Sequence, residues 1–163
     1  MGREVRMVPA GWEHPKNERG GYIPLLKGPY EEWAAEWEEE KQKWDEGFCK
    51  SCESDEWRAR EGDELETTFE EWYGGRPNRS YYMPTFTAGT ATHFMMYETC
   101  SEGTPISPAF ATPEKLALWL VDSGASSFGP MTASYEQWLR VASGGYAPSI
   151  VVDSEGLRSG VAL

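Results

Sequence analysis

The stretch from His93 to Gly124, HFMMYETCSEGTPISPAFATPEKLALWLVDSG, constrains the fold more than any other part of this 163-residue chain. Phe94 to Tyr97 is an apolar run of strand length, and the Ser101-Glu102-Gly103-Thr104-Pro105 cluster that follows is turn chemistry, because Gly allows positive φ and Pro fixes its own. A second extended run then leads to a helix. Thr112 is placed to cap it, Pro113 suits the first helical position, Glu114 meets the positive end of the dipole, and Gly124 stops it. At 3.6-residue spacing Leu116, Trp119, Leu120 and Ser123 share an inward stripe, which Leu118 and Val121 widen. The spacing predicts a mostly buried helix next to a strand.

Two further segments have the same local clarity. Arg3 to Val8 alternates charged and apolar residues, the period of a half-buried strand, and Pro9 ends it. Ser134 with Gln137 has the form of a capping box for a helix carrying Tyr135, Trp138, Leu139 and Ala142, and Gly144-Gly145 closes it. Ser149 to Val152 and Leu157 to Val161, joined by an Asp153 to Gly156 turn, form a terminal hairpin. Gly11 to Gly28 is an irregular ordered loop anchored by Trp12, His14-Pro15 and Tyr22 to Leu26. The fold class is therefore α+β: a small, mostly antiparallel sheet, two helices in the C-terminal half, and a protruding acidic helix in the N-terminal half.

That acidic helix spans Pro29 to Gly47. Tyr30, Trp33, Trp37 and Trp44 fall within roughly 60° of one another on a helical wheel, while eight acidic residues cover the back. So narrow a stripe places the helix on the rim of the domain or against another chain. The net charge of the whole protein is −12, and the stretch Glu31 to Glu71 carries all of it: seventeen acidic residues against five basic, with ten of each elsewhere. A chain so charged disfavours direct nucleic-acid binding and suits a basic partner. The helix rise of about 1.5 Å per residue sets the acids roughly 3 Å apart along the axis, near the roughly 3.4 Å spacing of charges on one DNA strand. Phe48 to Glu71 is poor in aliphatic residues, and 48–79 reads as an acidic insertion, partly helical and partly mobile, within one domain of 1–163. Trp72 to Pro77 reads as a break, after which Tyr81 to Thr87 is extended.

The segments Tyr97-Glu98-Thr99-x-Ser101-Glu102-Gly103-Thr104-Pro105-Ile106-Ser107-Pro108, Thr112-Pro113-Glu114-x-Leu116-Ala117-x-Trp119-Leu120 and Tyr135-Glu136-x-Trp138-Leu139 together resemble a family of small proteins encoded by tailed bacteriophages and prophages. The Val8-Pro9-x-x-Trp12-x-His14-Pro15-Lys16 run and the acidic helix around Ala35-Glu36-Trp37-Glu38 are similar to the same family's beginning, and the likeness is weak over Phe48 to Arg79. The resemblance implies a context: a phage accessory gene in a bacterial host cytoplasm. It supplies no activity.

Residue chemistry points away from catalysis. Cys49-x-x-Cys52 has the spacing of half a zinc site, but no second CxxC or HxxxH pair follows, so zinc would need Cys100, His14 or His93 brought in by folding. Gly124 to Gly129 begins like a phosphate loop but continues with Pro130-Met131 where Lys and Ser or Thr are needed. Ser126 lacks the second glycine of a nucleophile elbow, because Phe128 stands there. Glu98 and Glu102 flank the central turn, where carboxylates usually cap N–H groups or face water. The expected function is non-enzymatic protein–protein binding: a phage inhibitor of a basic host defence protein or nucleoprotein complex, of anti-CRISPR or anti-restriction type. Its expected partner surface consists of Glu31, Glu32, Glu36, Glu38, Glu39 and Glu40 with Trp33, Trp37 and Trp44. The alternatives are a small-ligand or zinc-binding module built from aromatics and Cys49/Cys52, and a homo-oligomeric structural phage protein docking through the tryptophans. No apolar run is long enough for a membrane span, and a cytoplasmic location is expected.

Overall fold

The computed structural model describes residues 2–51, 54–154 and 156–163. In chain order, β1 (Gly2–Val8) is followed by α1 (Tyr30–Asp45), the hairpin strands β2 (Phe48–Lys50) and β3 (Trp57–Ala59), and a short α2 (Phe69–Tyr73). Then come β4 (His93–Glu98), β5 (Thr104–Pro105), α3 (Pro113–Asp122), α4 (Tyr135–Gly144), β6 (Tyr146–Pro148) and the terminal hairpin of β7 (Ile150–Asp153) and β8 (Gly156–Ser159). This is a small α+β fold whose paired strands are antiparallel. Glu155, in the terminal turn, lies outside the described residues. The chain divides into two compact units, 28–82 and the remainder formed by 2–27 with 83–163.

In the larger unit the sheet order is β5-β4-β1-β6, so β1 is a central strand. Its register with β4 pairs Arg3 with Glu98, Glu4 with Tyr97, Val5 with Met96 and Arg6 with Met95. One face of the sheet, through Val5 and Met96, packs on Leu116, Leu120, Trp138 and Val141 of α3 and α4. The other face, through Val8, Met95 and Tyr97, is covered by the loop residues Trp12, Met83 and Phe86. The half-buried strand expected for Arg3 to Val8 is thereby corrected: with both faces covered, Arg3 and Arg6 are themselves buried.

The helix signals in the sequence map directly onto structure. Thr112 caps α3 by accepting from the Lys115 N–H, and Ser134 and Gln137 cap each other's backbone at the start of α4. The inward face of α3 is Leu116, Ala117 and Leu120, whereas Ser123, Leu118 and Val121 are exposed and Trp119 is half-buried. The stripe is narrower than expected because α3 has only α4 and the sheet on one side to cover it.

In unit 28–82, where a partly helical and partly mobile insertion is expected, helix α2 and the hairpin β2–β3 form. Thr68 caps α2 reciprocally with Glu71, so Trp72 and Tyr73 end a helix and the break falls at Gly74. A cluster of Trp44, Cys49 and Phe69 is buried at its centre, with Trp37 packed against it. The segment 48–79 therefore packs with α1 in one unit, which begins at Gly28 rather than at Phe48.

Candidate functional site

The acidic helix was the first candidate surface, and its own unit consumes most of its apolar stripe. Trp44 is 3% exposed, and its ring lies 5.9 Å from that of Phe69 and 5.8 Å from that of Trp72. Trp37 stacks edge-on against Phe69 at 5.1 Å and donates its indole N–H to the Gly74 carbonyl at 3.1 Å. Trp33 stays more exposed, edge-on to Tyr82 at 5.3 Å. Trp44 is thus corrected from a partner-binding residue to a core residue, since a ring buried among rings cannot also cover another chain, while Trp37 is half-buried against the same cluster.

The acidic back keeps its exposure but is not a bare row of charge. Lys50 Nζ lies 2.8 Å from Glu40 and 3.6 Å from Glu36, Arg76 bonds Glu38 at 2.7 Å, and Arg79 lies 3.7 Å from Glu31. Glu32 and Glu39 are exposed and have no ion pair among the described residues. Glu40 and Lys50 are half-buried, whereas the exposed pairs Arg76–Glu38 and Arg79–Glu31 contribute little and exchange readily, so that part of the surface remains available to a stronger cationic partner. Unit 28–82 holds seventeen acidic against seven basic residues, a net of −10.

Cys52 lies outside the described residues. Cys49 is buried, its Sγ 3.4 Å from Glu64, which Arg58 grips with both guanidinium nitrogens. Burial pushes the Cys49 thiol up, and the neighbouring Glu64 pushes it further, which makes it a poor thiolate ligand or nucleophile. Arg58 and the Glu61 N–H hold the Glu64 carboxyl down at about 2. Among the described residues no three His, Cys, Asp or Glu side chains gather as a metal site, and no helix is long and apolar enough to cross a membrane.

The second candidate lies in the larger unit and has no motif in the sequence. Two cavities, of about 730 and 430 Å3, share Ile106 and Trp119. The larger is lined by Trp12, His14, Tyr22, Met95, Ser107 and Pro108, with Glu13 and Lys16 at its exposed rim. Its polar floor is fully engaged. His14 Nε2 lies 2.6 Å from the Ile23 carbonyl, so it carries the proton, and Nδ1 is left to accept from the Tyr97 hydroxyl at 3.3 Å. Trp12 donates to the same hydroxyl, also at 3.3 Å. Arg6 lies over the Tyr97 ring at 4.4 Å and bonds Glu4 and the Leu25 carbonyl, while Lys27 takes the other Glu4 oxygen. Burial, with a smaller contribution from Arg6, moves the His14 ring below its usual value, and burial moves the Tyr97 phenol above its own. Burial alone would raise the Glu4 carboxyl, but Lys27 and Arg6 outweigh it and hold the group below its usual value. The Ser107 hydroxyl accepts from Met96 N and donates to the Pro108 carbonyl. A neutral, doubly bonded imidazole and a doubly bonded serine build a rigid floor rather than a base and nucleophile.

The smaller cavity is lined by Arg3, Glu98, Trp119, Ser123 and Ser126. Glu98, one of the two carboxylates at the central turn, bonds Arg3 Nη1 at 2.7 Å. His93 instead stands at the start of β4, its Nδ1 3.0 Å from the Thr92 hydroxyl. Comparison with protein-family models, with curated proteins and with solved structures found no match to this chain.

Proposed function

We propose that this chain is a non-enzymatic accessory protein of bacteriophage type, which presents unit 28–82 as an acidic docking surface to a basic host protein or nucleoprotein complex. The observation that carries this reading is the division of labour on α1. Its apolar side is held by Phe69 and Gly74 of its own unit, while Glu32, Glu36, Glu38 and Glu39 stay exposed on a unit with a net charge of −10. Of the three tryptophans of the alternative, oligomeric reading, Trp44 is buried and Trp37 packs against the same cluster, which leaves Trp33 exposed. Complementary charge of this kind steers association and is weakened by salt, with screening within about 10 Å at 0.1 M.

The test is capture from host-cell lysate with the tagged full chain at low and high salt, repeated with Glu32, Glu36, Glu38 and Glu39 all changed to Lys. These four are surface residues, so the variant is expected to fold, which circular dichroism checks. A basic protein released by salt and lost in the variant supports the proposal. Equal capture by the folded variant rejects it.

A further inference from the structure

Arg3 is 4% exposed, yet its guanidinium is only partly used. Nε donates to the Ser126 carbonyl at 3.1 Å and Nη1 to Glu98 Oε1 at 2.7 Å, while Nη2 has no hydrogen-bond partner among the described residues. Glu98 Oε2 and the indole N–H of Trp119 likewise have none, and all three residues line the 430 Å3 cavity. The open Nη2 is accessible to water at the cavity wall, where a ligand group can replace water as its partner. The cavity therefore offers an N–H donor, an adjacent carboxylate acceptor and a half-buried indole.

Two facts set the ligand's charge. Glu98 already matches the Arg3 charge, and Ser123, also in the wall, is the C-cap of α3, the end whose carbonyls carry partial negative charge. An anion is disfavoured there and a neutral polar group is favoured. A hydroxyl donates and accepts at once, so two neighbouring hydroxyls match a donor beside an acceptor, each bond being charge-assisted. The apolar C–H face of a sugar ring then suits the Trp119 ring, because indole combines a large apolar surface with a polar edge. The larger cavity shares Ile106 and Trp119 with this one and adds Trp12 and Tyr22 as further aromatic surface.

We infer that Arg3, Glu98 and Trp119 form the polar subsite of a groove that binds an uncharged oligosaccharide. The proposal is independent of the acidic surface on unit 28–82. The test is titration of the full chain with maltohexaose, cellohexaose and N-acetylchitohexaose up to millimolar concentration, followed by tryptophan fluorescence and calorimetry. Decaproline serves as the peptide control. Saturable binding of one or more saccharides is expected, weakened about tenfold or more by Glu98→Gln, which keeps the side-chain shape but loses the charged acceptor. Trp119→Phe is expected to weaken the same saccharide, with the fold checked by circular dichroism. No saturable binding of any of the three, binding of decaproline alone, or saccharide binding that both folded variants leave unchanged would each overturn the assignment.

Discussion

The Tyr97 hydroxyl, 3.3 Å from His14 Nδ1, ties the end of the sheet to a loop 83 residues away in sequence. The same oxygen accepts the Trp12 indole N–H, so one buried atom fixes two side chains of the N-terminal loop. Replacing Tyr97 with Phe leaves both without that partner. The expected loss is about 1–3 kcal/mol, measured as a lower denaturation midpoint in urea with an unchanged slope.

His14 also makes the larger unit sensitive to mild acid. Burial depresses its folded-state pKa below the ordinary value of 6.5, so the unfolded chain binds the proton more readily. The stability contribution is therefore complete above about 6.5 and declines as pH falls through the window beneath it. The positive charge of Arg6, which lies over the neighbouring Tyr97 ring, adds to the penalty for the protonated form. Urea midpoints measured from about pH 7 to about pH 5, above the range where carboxylates titrate, are expected to fall for the native chain and to flatten for His14→Gln.

Gly103 stands at φ +103, and a Cβ there would meet the Leu25 carbonyl and the Arg6 guanidinium. Gly103→Ala is thus strained twice, by backbone and by contact. The expected cost is about 3 kcal/mol, at the upper end of ordinary single-site effects, and thermal unfolding would measure it.

Phe69 holds the aromatic cluster of unit 28–82, with ring distances of 5.1 Å to Trp37 and 4.7 Å to Tyr73. Phe69→Ala is expected to cost about 3–5 kcal/mol and to flatten the near-ultraviolet dichroism of the tryptophans.

The Arg58–Glu64 pair shields Cys49. With iodoacetamide at neutral pH and peptide mapping, Cys100, which is exposed, is expected to label while Cys49 stays protected. Glu64→Gln removes the negative neighbour and leaves Arg58 beside the thiol, so Cys49 labelling is expected to rise severalfold. The Glu64 carboxyl, depressed to about 2 from the ordinary value of 4.5, contributes stability that is complete above 4.5 and is lost as pH falls toward 2. Its replacement is expected to remove that part of the acid sensitivity, measured by an acid titration of the tryptophan signal.

Sequence alone determined the elements whose cause is local. The caps at Thr112 and Ser134, the period of α1 and the run of β4 rest on contacts between residues a few positions apart, and each appears where its pattern stands, whereas the terminal hairpin forms with Asp153 paired to Gly156 and its second strand ending at Ser159, before a 3-10 turn over Gly160–Ala162. Tertiary structure decided what those elements face. The alternation in Arg3 to Val8 is the same for a strand with one covered face and for one with two, and only the packing of α3 and α4 on one face and of the loop residues Trp12, Met83 and Phe86 on the other buries Arg3 and Arg6. The tryptophan stripe of α1 is equally suited to a partner or to the chain itself, and Phe69 settles it from outside the helix. His14 gave one faint signal, its place among the apolar anchors Trp12, Pro15 and Tyr22, but its partner Tyr97 reaches it only through folding. The groove built from Arg3, Glu98 and Trp119 draws on three distant segments. Periodicity reports which side of an element is apolar, and long-range packing alone determines which distant groups meet there.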